Sequence, residues 1–184
     1  TRDVALLIRE LKAKKVDAIL MDLRNNGGGS LSEAVELTGL FIGKGPVVQV
    51  RNASGQIRVE ASQKAGVAWS GPLGVLVNRN SASASEIFAA AIQDYKRGIV
   101  VGTQSYGKGT VQRNIGLDPN TGFLTPASDL GTLKLTLQKF YRINGGSTQL
   151  NGVMPDIVLP DNFEFTKSRE KDAPNALAYD EIAK

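Results

Sequence analysis

Leu73-Gly74-Val75-Leu76-Val77 and Ile99-Val100-Val101-Gly102 carry no polar side chain, and the segment between them has the apolar spacing of a helix. A polar-free run of four or five residues on each side of a helix makes a strand–helix–strand unit whose strands are buried. Such runs belong to a parallel sheet, for which burial on both faces is expected. The same succession occurs earlier. Val4, Leu7, Ile8 and Leu11 predict a helix, and Val16 to Leu23 a strand that runs into Asn25-Asn26-Gly27-Gly28-Gly29. A second helix starts at Ser30 or Ser32, with Leu31, Val35, Leu37 and Phe41 on its apolar positions, and ends at Gly43. Short strands are expected at Val47 to Val50 and Ile57 to Glu60. After Gly102 the pattern turns to β, with strands from Gly109 to Ile115 and from Thr132 to Tyr141 and a turn at Asn144-Gly145-Gly146. From Asn162 onward the chain is polar and charged, so a loosely attached tail is expected there.

The chemistry open to this chain is narrow. It has 184 residues with no histidine and no cysteine, which removes zinc, haem and thiol chemistry and leaves hydroxyls, amines, carboxylates and amides. The net charge of +4 comes from scattered basic pairs such as Lys14-Lys15 and Lys96-Arg97 rather than a basic stripe with aromatics, so nucleic acid is not an expected partner. The apolar runs are shorter than the ~20 residues that span a bilayer. The chain opens on Thr1 without a leader and reads as a piece of a longer protein.

Within these limits two segments stand out. Asn80-Ser81-Ala82-Ser83-Ala84-Ser85-Glu86 introduces the helix, and Gly107-Lys108-Gly109-Thr110-Val111-Gln112 follows the next strand. Ser83 and Glu86 have the spacing of a capping box, an ordinary way to satisfy the first amides of a helix. The same position also places a hydroxyl beside free amides and the positive end of a helix dipole, where developing negative charge is stabilised. Spacing does not choose among Ser81, Ser83 and Ser85. With histidine absent, lysine is the remaining base for a serine nucleophile. A free lysine amine, with a pKa of about 10.4, is only about 0.1% neutral near pH 7.5, so a catalytic lysine needs a desolvated site. Lys108 between glycines also fits an exposed turn. Gly102 to Lys108 begins like a phosphate loop, but Gly109 stands where Ser or Thr is required and a strand follows instead of a helix. If the chain is extended from Lys108, then Lys108, Thr110 and Gln112 point the same way, and Gln112 is placed to hold the amine.

Taken together, Asp22 to Gly29, Ser81 to Ile87, Gln93-Asp94, Gly107 to Gln112, and Tyr141 to Gln149 with Gly152 to Ile157 resemble the carboxyl-terminal processing proteases, the tail-specific family of serine peptidases with a Ser-Lys dyad. The last stretch is most similar to the periplasmic tail-specific branch of Gram-negative bacteria. The resemblance implies an α/β fold with a ClpP/crotonase-like layered core and additional β-strands. Residues 1–160 would be the protease core and 161–184 a polar C-terminal segment. It implies Ser83 as nucleophile, Lys108 as general base, Gln112 as the residue that orients the lysine, and an oxyanion hole from the amides of Ala84 and Gly28, with Gly27 as the alternative glycine. No metal or organic cofactor is implied. Expected partners are polypeptide substrates with unstructured C-termini, with room for a periplasmic adaptor. Members of that family carry a peptide-binding PDZ domain ahead of this segment, and here nothing is seen before the first helix. Two other functions stay open: a peptidase-like binding module that does not cut, similar to the repeats of a retinoid-carrying extracellular protein, and an acyl-coenzyme A enzyme on the same fold.

Overall fold

A computed structural model describes residues 1–117 and 131–183. Three helices, α1 (Arg2–Ala13), α2 (Leu31–Ile42) and α3 (Ala84–Asp94), accompany eight strands: β1 (Ile19–Asp22), β2 (Gly45–Asn52), β3 (Ile57–Ser62), β4 (Leu73–Val77), β5 (Ile99–Gly102), β6 (Thr110–Gly116), β7 (Thr132–Tyr141) and β8 (Ile157–Val158). The strands form two sheets. One is parallel, in the order β1-β4-β5-β8, and the other antiparallel, in the order β3-β2-β7-β6. The strand–helix–strand unit is present as expected, β4-α3-β5, with Val75 level with Val100 across the parallel pair.

Helices α2 and α3 lie between the sheets and face both. Phe88, Ala89, Ala90 and Ile92 of α3 pack with Val75, Val77 and Val100 of the parallel sheet. Ile87 and Ala91 on the opposite side of the same helix pack with Val47, Val48, Val50 and Phe140 of the antiparallel sheet. A helix buried on all sides needs small and apolar residues throughout, and the run from Ser85 to Ile92 is fully buried. Phe41 of α2 meets Phe88 of α3 edge to face, with ring centres 5.7 Å apart, which locks the two helices together.

Two expectations are corrected. The parallel sheet is covered on one face only. On the other face Leu20, Ile99 and Ile157 are 62%, 52% and 50% exposed. They share this face in two rows, one through Leu20, Gly74 and Ile99 and the next, two residues on, through Val101 and Ile157. The strands are apolar on both faces, but among the described residues nothing covers the second face. The polar C-terminal segment, in turn, is tied down. The guanidinium of Arg79, itself buried, donates to the carbonyls of Phe163 and Thr166 and lies 3.9 Å from Asp161. Asp180 accepts from Arg51 and, at 2.9 Å, from Lys139. A polar sequence therefore attaches here through polar contacts, which apolar patterning does not reveal.

Candidate active site

Loops that leave the C-terminal ends of β1, β4 and β5 build the site, the place where open α/β sheets carry their ligands. The loop after β1 contains Gly27 to Gly29, that after β4 contains Ser81 to Ser83, and that after β5 contains Gly107 to Gly109. They are joined by hydrogen bonds between loops: Ala82 N–H to the Asn26 carbonyl at 3.0 Å, and Tyr106 N–H to the Ser81 carbonyl at 2.9 Å.

The three serines have different surroundings. The hydroxyl of Ser81 is fully buried, donates to the Leu23 carbonyl at 2.8 Å and accepts the Asn78 amide at 2.9 Å, so it braces the turn. Ser85 is buried and lines a different recess, with Leu37 and Phe88. Ser83 is partly exposed and sits on the sharp turn into α3 with φ 57° and ψ −116°. This is a glycine-type conformation for a residue that has a side chain, and it costs of order 1–3 kcal/mol. A serine on a strained strand-to-helix turn presents its hydroxyl above the sheet.

Ser83 and Lys108 border one cavity of about 200 Å³, together with Gln112, Ala84, Gly29, and an apolar wall of Leu31, Ile87, Val111 and Phe140. Lys108 is partly buried. The residues expected to act together thus meet at one cavity, which Thr110 and Lys134 also line, so Lys108, Thr110 and Gln112 all border the same space. Lys108 precedes β6, Thr110 is buried and Gln112 exposed, and the register shift beside Gln112 puts the extra residue, Leu137, on β7. The Gln112 amide is turned toward β7, with Nε2 3.4 Å from Thr136 Oγ1.

The glycine loop packs directly on the serine turn. A Cβ on Gly28, whose φ is +97°, would stand 2.6 Å from the Ala82 carbonyl oxygen and 2.8 Å from the Ala84 nitrogen, so only glycine fits. The amides of Ala84 and of the glycine loop therefore come together beside Ser83. The Gly28 N–H donates to Asn26 Oδ1 at 3.0 Å.

Glu86 was visible in the sequence only as half of a capping box, and it does considerably more. Its Oε2 accepts the Ser83 N–H at 2.7 Å and the Lys108 N–H at 3.0 Å, and its Oε1 accepts the Gly107 N–H at 2.7 Å and the Ser105 hydroxyl at 2.5 Å. One carboxylate with no solvent exposure thus fastens the serine turn to the lysine loop. Burial pushes its carboxyl up to about 7, against the four hydrogen bonds, which pull it down. The available clue was an acidic residue in the middle of Ala, Ile and Phe on a helix with no polar face. The other motif residues stitch elements together. Arg142 forks onto Asp94 and donates to Gln93 Oε1 at 2.9 Å, and Gln93 donates to Asp156 at 2.8 Å. Among the described residues no group of His, Cys, Asp or Glu is arranged to hold a metal ion.

The chain is 52% identical over 182 residues to the tail-specific protease of Haemophilus influenzae, which covers 99% of this chain and 26% of that protein. It is 38% identical over 162 residues to the carboxy-terminal-processing protease of Bartonella bacilliformis, covering 85% of this chain and 35% of that one. The chain thus spans about a quarter to a third of the length of these relatives. Among solved structures, a photosystem II D1 C-terminal processing protease superposes with a TM-score of 0.72 at 31% identity, over 85% of this chain and 38% of the other. Mature CPAF, at 19% identity and a TM-score of 0.66, shares the fold, a layered α/β core of the ClpP/crotonase type. The sequence profile of peptidase family S41 matches residues 1–159, and the chain belongs to that family.

Proposed function

We propose that the protein of which these residues form the core is a serine endopeptidase that cuts polypeptides near unstructured C-termini. Ser83 is the nucleophile, Lys108 the general base, and Gln112 the residue that orients the amine. The observation that carries the reading is the shared cavity of Ser83 and Lys108, with the backbones of both held by Glu86. An extended substrate adds along β6, which is an edge strand of its sheet and leads directly out of the cavity. Ser83 Oγ attacks the scissile carbonyl and Lys108 Nζ takes its proton. The oxyanion is received by the amides of Ala84 and Gly28, once it displaces Asn26 Oδ1 from the latter. The lysine then protonates the leaving amine, and the peptide C-terminal to the cut departs. Water, deprotonated by the same amine, hydrolyses the ester on Ser83 and restores the enzyme. No step calls on a metal or an organic cofactor.

The setting expected from the resemblance, the periplasm with an adaptor protein, belongs to the same proposal. No helix among the described residues is long and apolar enough to cross a membrane. The test uses the full-length protein with an unfolded polypeptide that ends in apolar residues. Cleavage by the wild type, abolished in both Ser83→Ala and Lys108→Ala while circular dichroism stays unchanged, is the expected result. Residual cleavage by purified Ser83→Ala removes Ser83 from its role. Binding without cleavage by the wild type favours the non-cutting module, and turnover of a coenzyme A thioester favours the acyl-transfer enzyme.

A further inference from the structure

Lys108 stands between two glycines, so its loop has no flanking side chains to fix it, and the position of its amine is set by the backbone. Glu86 holds that backbone from one side. Residues 148–150 hold it from the other: the Leu150 N–H donates to the Gly107 carbonyl at 2.8 Å, the Thr148 hydroxyl to the Lys108 carbonyl at 3.4 Å, and the Gly109 N–H to Gln149 Oε1 at 2.8 Å. The fit is close, since a Cβ on Gly109 would stand 2.7 Å from the Gln149 nitrogen. Gln149 itself is 0% exposed. Its oxygen is used on Gly109, and its Nε2 donates to the Leu177 carbonyl at 2.9 Å and to Glu170 Oε1 at 3.3 Å. Both acceptors lie in the C-terminal segment, and the Glu170 N–H donates in addition to the Tyr106 carbonyl at 3.2 Å, just before the lysine loop.

We propose that Gln149 is a positioning residue for Lys108, and that residues 170–177 complete the site by holding Gln149 in place. The proposal rests on Lys108 as the base of the peptidase reading. A buried primary amide is suited to the task because its acceptor and its donors point in opposite directions, so one side chain connects the lysine loop to the C-terminal segment. Displacing a catalytic group by about 1 Å costs on the order of 10²-fold in rate. The polar segment after residue 160 is therefore part of the catalytic frame.

The test compares Gln149→Met and Gln149→Glu in the full-length protein, with residue-resolved amide exchange of the wild type alongside. Met keeps the size and loses both bonds, while Glu keeps an oxygen for Gly109. The expected result is a kcat at least tenfold lower for both Gln149→Met and Gln149→Glu with KM within twofold of wild type, at a temperature well below their melting points, because Gln149→Glu turns an acceptor toward the Leu177 carbonyl and Glu170, and a Gly109 amide protected as well as those of α3. Wild-type kcat in a folded Gln149→Met, a KM that rises as much as kcat falls, or Gly109 exchange at the rate of a solvent-exposed amide overturns it. Should Gln149→Met not fold, the Gly109 exchange decides. A wild type that cuts nothing refutes the peptidase reading instead, and Gly109 protection again decides this one.

Discussion

Glu86→Gln isolates what the buried carboxylate does. The carboxylate receives four donors on two oxygens, and an amide has one oxygen and one NH₂ in the same space. If the NH₂ replaces Oε2, two backbone amides, of Ser83 and Lys108, lose their acceptor. If it replaces Oε1, one backbone amide, that of Gly107, is orphaned, and the Ser105 hydroxyl, which also accepts the Val153 N–H at 2.6 Å, gives up its own acceptor to receive the NH₂. The second arrangement is therefore adopted, and one buried orphan N–H costs about 1–3 kcal/mol. The pH dependence sharpens the test. The folded carboxyl is raised to about 7 from an ordinary 4.5, so it contributes stability that is complete below pH 4.5 and lost as pH rises through about 7. The difference amounts to about 3 kcal/mol, and the glutamine variant has no such titration. Urea unfolding at pH 5 and pH 8.5 should show the wild type losing about 2.5 kcal/mol more than Glu86→Gln over that interval, with the two of similar stability at pH 5, where the protonated carboxyl, like the amide, turns one donor toward the cluster. Parallel pH slopes for the two proteins would refute the reasoning.

Ser83→Gly relieves the backbone strain that Ser83→Ala retains, so both variants should be inactive while the glycine variant melts at higher temperature, with about 1 kcal/mol or more between them in denaturant titration. Gly28→Ala forces a methyl to within 2.6 Å of the Ala82 carbonyl, and it should lower stability by more than about 2 kcal/mol and abolish cleavage, both read on the same preparation. Arg79→Ala removes the buried donors to Phe163 and Thr166, so limited proteolysis should cut between residues 160 and 168 far faster than in wild type.

What the sequence revealed of this fold followed period and punctuation. The runs at Leu73–Val77 and Ile99–Gly102 specified strands because apolar residues without interruption have nowhere else to go, and Gly43 ended α2 where expected. The Ser83–Lys108 pairing was legible by elimination and resemblance, and the two residues do border one cavity. The functions of Glu86, Asn26 and Gln149 were not legible. Each acts through a hydrogen bond to a backbone group distant in sequence or hidden in a turn, and such partners leave no periodic trace. The bulge that makes Leu137 an extra residue on β7 beside Gln112 was not legible either, since pattern reading cannot detect one added residue. The open face of the parallel sheet was missed for a related reason: a strand whose second face lies bare has the same letters as one that is covered on both sides.

The carboxylate link between residues 83 and 108 has a consequence for the life of the chain. Between these two points the polypeptide must form α3, insert β5 beside β4 and return, so no shorter part of it brings hydroxyl and amine together. On the proposed peptidase reading, hydroxyl and amine then meet only once α3 and β5 are in place, so assembly of this part of the fold would gate the chemistry.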